Sequence, residues 1–164
     1  MATKAAISLE EHLRTPYEHE PEYVDGELEE RPLGTKKHSR LQRRLGAALE
    51  RFPLPEIFTE LTIRLGPSKT RIPDVCAFLE DPEGEHPGVP PFLAVEILSP
   101  DDRLSNVVGK LEEYKQFGVE HTWLIKPETK DFFVYENGAL TSVDAYRIPE
   151  IGLVLEKADL FPKG

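Results

Sequence analysis

Phe92-Leu93-Ala94-Val95-Glu96-Ile97-Leu98, residues 92–98, is an apolar run with one carboxylate inside it. Runs of this kind, without alternation, mark strands covered on both faces. A carboxylate in such a strand is costly unless it is paired, hydrogen-bonded or bound to a metal. The stretch therefore predicts a central strand of a layered α/β sheet, and it makes Glu96 a candidate for chemistry. Ser99-Pro100-Asp101-Asp102 ends the strand, and the polar, Pro/Gly-rich residues 80–91 precede it as a surface loop.

Upstream, Ile57 to Leu65 alternates, with Leu61, Ile63 and Leu65 on one face and Thr62 and Arg64 on the other, as in a half-buried strand. Gly66-Pro67-Ser68 turns it, and Thr70 to Leu79 forms the expected returning strand. That strand carries a second carboxylate, Asp74, directly after Pro73. Either acid alone is more often a satisfied edge residue. The pair lies 22 positions apart, a separation that suits two strands joined by the 80–91 loop. On adjacent strands the two would set oxygen ligands at one end of the sheet, a donor set that suits Mg²⁺. Cys76 shares the face of Asp74 and reads as buried filler.

Helices flank these strands. Thr35–Arg51 carries Leu41, Leu45, Ala48 and Leu49 at helical spacing, with His38 near the same face. Ser105–Phe117 carries Val107, Val108, Leu111 and Tyr114, and Gly118 stops it. Lys110 lies three residues after Val107 and four before Tyr114, so it shares that apolar stripe. A lysine on a buried stripe needs a carboxylate partner. A short helix is expected near Ser8–Arg14, with Ser8 as N-cap. Asp25-Gly26 marks a turn within a strand pair from Tyr23 to Arg31. Beyond Gly118, a short strand Thr122–Ile125, then Asp131–Tyr135 and Leu140–Val143 about Asn137-Gly138, form a meander. Ile151–Phe161 closes the chain as a strand and a terminal turn.

Composition narrows the classes. The chain has 164 residues, the size of one domain, and a formal charge of −10. That charge excludes a generally basic nucleic-acid coat and argues against anionic membrane surfaces. One cysteine excludes an internal disulfide framework and a multi-Cys zinc site. Residues 1–11 do not resemble a signal peptide, and the longest apolar run falls far short of the roughly 20 residues a spanning helix needs. The expectation is a soluble, cytoplasmic protein. Local basic groups exist despite the net charge: Lys36, Lys37, Arg40, Arg43 and Arg44 on the first long helix, and Arg64, Lys69 and Arg71 on the strand pair.

Taken in order, Asp25-Gly26-Glu27, His38, Arg71-Ile72-Pro73-Asp74-Val75, Ala94-Val95-Glu96-Ile97-Leu98-Ser99-Pro100, Lys110 with Tyr114, Gly118-Val119 and Trp123-Leu124-Ile125-x-Pro127 resemble the bacterial putative restriction endonuclease family of the PD-(D/E)XK nuclease superfamily. The resemblance runs from about residue 8 to Phe161. It implies one nuclease-like domain over residues 1–164, α/β, with a mixed central sheet flanked by helices. It implies Mg²⁺, with Mn²⁺ as a substitute, held by Asp74, Glu96 and the carbonyl of Ile97. It implies phosphodiester hydrolysis on DNA and a homodimer. The lysine of the Glu-x-Lys motif belongs at position 98, where this chain has Leu98. Lys110 matches a lysine common in the family and stands as its replacement; a solvated helix lysine is equally compatible with the sequence. Glu27 matches the acid of the Asp-Gly-Glu signature and stands as a third carboxylate, or as a hairpin surface residue. His38 stands as a partner for a site carboxylate or a phosphate, or as a surface residue at a helix start; Gln42, one turn on, stays outside the set. Leu98 also leaves open a nuclease fold that has lost cleavage and serves as a binding or assembly module.

Overall fold

The computed structural model describes residues 6–163. Its centre is a six-stranded mixed sheet in the order β10-β9-β8-β7-β6-β3. These strands are β3 (Glu56–Thr59), β6 (Val75–Phe78), β7 (Leu93–Ile97), β8 (His121–Lys126), β9 (Asp131–Glu136) and β10 (Ala139–Val143). Strand β7 is buried along its whole length, as its apolar run requires. It pairs antiparallel with β6 and parallel with β8. The return from β7 to β8 is made by α3 (Leu104–Phe117), the crossover a parallel pair needs. The meander β8-β9-β10 is antiparallel.

Alternation along β7 divides two apolar layers. Leu93, Val95 and Ile97 pack with Leu41, Leu45 and Leu49 of α2 (Lys36–Leu49). Ala94 packs on the opposite face with Val107, Leu111 and Tyr114 of α3. Helix α2 starts at Thr35, whose hydroxyl accepts from the His38 amide at 3.2 Å. Helix α3 ends at Gly118, whose φ of +113° is the left-handed conformation glycine adopts without strain. A hairpin that the sequence reading did not resolve, β11 (Ala145–Ile148) with β12 (Leu153–Glu156), covers the α2 face together with α4 (Lys157–Leu160). Among the described residues no helix is long and apolar enough to cross a membrane.

The structure corrects the two long strands expected at 57–65 and 70–79. Each is two strands. The outer halves, β3 and β6, belong to the central sheet; the inner halves, β4 (Ile63–Gly66) and β5 (Lys69–Arg71), belong to a smaller sheet, β2-β1-β5-β4. That sheet is completed by β1 (Glu22–Val24) and β2 (Glu27–Glu29), joined through Asp25 and Gly26 at φ +50° and +89°. The same register holds on both sides of the bend, Ile63 facing Arg71 and Thr59 facing Val75, and it shifts by one residue only near the tip, between Arg64 and Gly66. Between them the hairpin bends. Glu60 takes a left-handed φ of +53°, and Pro73 contributes no amide. Apolar alternation survives the bend, so the sequence pattern conceals it. Upstream of both sheets, α1 (Leu9–Arg14) starts at Ser8, whose hydroxyl accepts from the Glu11 amide.

Candidate functional site

The bend places Asp74 one residue before β6, where it lines a cavity of about 170 Å³. Val75 faces Val95 across the β6–β7 ladder, so the same register sets Asp74 opposite Glu96. Cross-strand neighbours of this kind have Cβ atoms roughly 4.5–5.5 Å apart. One carboxylate oxygen of Asp74 accepts from the Ile97 amide at 2.7 Å. The other lies 3.1 Å from His38 Nε2. Gln42 Nε2 donates to the Asp74 carbonyl at 2.8 Å, which ties the bend to α2. The Ile97 amide points toward β6, and in an extended strand amide and carbonyl leave from the same edge. The Ile97 carbonyl thus faces the end of the sheet where Asp74 sits.

Glu96 is buried on the α3 side, and its Oε1 accepts from the Tyr114 hydroxyl at 2.6 Å. Burial and the neighbouring Asp74 push its carboxyl well above the usual carboxylate range; Lys110 pulls the other way. Lys110 reaches the same cavity from α3, its Nζ 2.8 Å from Glu22 Oε2. Burial disfavours its charge, yet Glu96 and Glu22 outweigh burial and hold it above its ordinary value. His38 behaves alike: burial opposes the charged ring, contact with Asp74 favours it, and the balance lies above the ordinary histidine value.

Asp74, Glu96, Ile97, His38 and Lys110 therefore line one cavity. Glu27 does not. It is exposed on β2, the edge strand of the smaller sheet, where every side chain faces solvent. A carboxylate five residues earlier occupies the cavity instead: Glu22, on the inner strand β1, is 1% exposed. Its Oε1 accepts from the Ile72 amide at 3.1 Å, and its Oε2 meets Arg71 at 2.9 Å as well as Lys110. No periodicity in the sequence distinguished Glu22, because β1 is too short to show one.

Leu98 is half-buried and packs among the apolar residues under α3, so position 98 offers no cation. Two of the three strand cations of the expected basic patch, Lys69 and Arg71, are also spent internally. Arg71 is buried among Glu22, Glu29 and Glu113, and Lys69 pairs with Glu113 at 3.1 Å. Lys36, Lys37, Arg40 and Arg43 remain exposed along α2. Cys76 is buried, and burial pushes its thiol up to about 12, consistent with filler. At the other end of the sheet Glu120, His121 and Glu150 bring ligand atoms within 4.8 Å of one another, with His121 Nε2 3.0 Å from Glu150.

The donors at the bend are carboxylate and carbonyl oxygens, which fit a hard divalent cation such as Mg²⁺. Comparison with known proteins agrees with this fold. The family model described as "Uma2: Putative restriction endonuclease" matches residues 9–164. A solved structure titled as a putative nuclease belonging to DUF820, from Anabaena variabilis, is similar over 94% of this chain and 97% of its own, at 26% identity and a TM-score of 0.83. No curated protein matches the chain.

Proposed function

The chain belongs to the Uma2 family, and from that premise we propose that it is a magnesium-dependent endonuclease hydrolysing phosphodiester bonds of DNA. The observation that carries the reading is the convergence of Asp74, Glu96 and Lys110 on one cavity from a strand bend, a central strand and a helix. Asp74, Glu96 and the Ile97 carbonyl are the groups that would hold the ion. When bound, Mg²⁺ lowers the pKa of water and neutralises phosphate charge. Lys110 supplies the cation that Leu98 does not, and stabilises the extra negative charge on the phosphoryl oxygens as water adds. Glu22 keeps that ammonium in place. His38 and the Ile97 amide fix the Asp74 carboxylate in one orientation. In hydrolysis the water oxygen bonds to phosphorus, the bond to the leaving sugar oxygen breaks, and that oxygen takes a proton. The exposed α2 cations supply phosphate contacts, the main source of DNA affinity, despite the charge of −10.

Supercoiled plasmid incubated with the protein and Mn²⁺ should be nicked. Glu96→Ala and Lys110→Met should each lower the rate at least a hundredfold with the fold intact. Metal binding without any nicking would instead favour the binding-module reading that Leu98 raised. Cleavage of both strands calls for two sites, so we propose a homodimer. The open edge at β10 and the 80–91 loop are the surfaces that could carry it. A monomer mass by light scattering at micromolar concentration would refute it.

A further inference from the structure

Arg31, Pro32 and Gly34, from the segment between β2 and α2, line the cavity that holds Asp74 and Glu96. Leu33, between them, does the opposite: it is 77% exposed, the most exposed large apolar side chain among the described residues. Arg31 Nη2 donates to Glu60 Oε1 at 3.2 Å, Pro32 restricts φ, and Thr35 caps α2. Leu33 is thus an exposed apolar side chain flanked in sequence by residues that line the cavity. The cationic face of α2 starts three residues later with Lys36 and Lys37 and continues with Arg40 and Arg43.

An isolated exposed leucine is ordinary on a protein surface. Leu33 differs in its position, between residues that line the candidate catalytic cavity and the row of exposed cations on α2. Apolar wedges of this size enter between base steps, unstack them and kink the duplex, at a cost of a few kcal/mol per step. We propose that Leu33 is such a wedge, inserted into the DNA base stack beside the phosphate that the cavity addresses. The inference rests on the nuclease reading and deepens it by naming the substrate class: duplex DNA that unstacks at low cost, at pyrimidine–purine steps, mismatches or bulges. The α2 cations hold the flanking backbone and fix which step the leucine meets.

The test uses the full-length protein with Ca²⁺ in place of Mg²⁺, and duplex DNA carrying one T·T mismatch flanked by 2-aminopurine. Anisotropy reports binding, and 2-aminopurine fluorescence reports unstacking. The parent should bind the mismatched duplex severalfold more tightly than the matched one, and fluorescence should rise severalfold on binding. Leu33→Ala, at an exposed position that leaves the core untouched, should still bind but lose both the fluorescence rise and the mismatch preference. If the parent binds without a fluorescence rise, or Leu33→Ala retains it, the wedge is refuted and the nuclease reading stands. If the parent binds no duplex and nicks no plasmid, the nuclease reading fails and the wedge fails with it.

Discussion

At Asp74 one side chain, His38, and one backbone amide, that of Ile97, settle the carboxylate, and a proton on His38 is part of the arrangement. The ring sits 3.1 Å from Asp74, and that contact lifts its titration above the ordinary histidine value against the opposing effect of burial. A group whose folded value is raised contributes stability that is complete below the unfolded value and is lost as pH rises through the folded one. Metal-free parent protein should therefore exceed His38→Gln in urea midpoint at pH values below the ordinary histidine value, with the difference shrinking as pH rises through the raised value of the folded state. A difference independent of pH would remove the charged ring from the account. Residue identity was legible where chemistry is unusual in context. Glu96 in an apolar strand, Asp74 after Pro73 and Lys110 on a buried stripe all stood out in the sequence, and all three line the cavity. Glu22 did not stand out. Its burial depends on Arg71 and Lys110, partners 49 and 88 positions away, and no local pattern encodes them.

At the scale of elements, helices were the most readable parts because both carry their caps in sequence. Thr35 opens α2 and Gly118 closes α3. The Gly118 cap is a backbone requirement and also a space requirement: a Cβ there would stand 3.3 Å from Pro90 Cγ. Gly118→Ala should cost about 1–2 kcal/mol from the left-handed backbone alone. Guanidinium unfolding is the measurement, and an unchanged midpoint would show that the α3 terminus relaxes freely. Strands were less readable. Ile57–Leu65 and Thr70–Leu79 keep their alternation through the bend, because both halves bury one face, although against different partners. Glu60, at φ +53°, carries no signature that a sequence reader would take for a break.

For the whole molecule, two carboxylates are crowded at the end of a sheet, and a cation that binds only the folded state must stabilise it by mass action. At a magnesium concentration a hundredfold above Kd the gain is about 2.7 kcal/mol, or roughly 5–10 °C in Tm for a chain of this size. Asp74→Asn should show no such shift in differential scanning calorimetry, and equal shifts in both proteins would place the ion elsewhere, Glu120, His121 and Glu150 being the alternative cluster. The bent hairpin has a mechanical consequence as well. Its two breaks, at Glu60–Thr62 and Ile72–Asp74, lie side by side and define an axis between the sheets. Asp74 and Glu96 are on the large-sheet side of that axis, Glu22 on the small-sheet side, and Lys110 spans the gap. The cavity thus lies where the two sheets meet. A tilt of the small sheet changes its width without breaking a strand, so amide exchange in β1 and β5 should slow when the gap is filled.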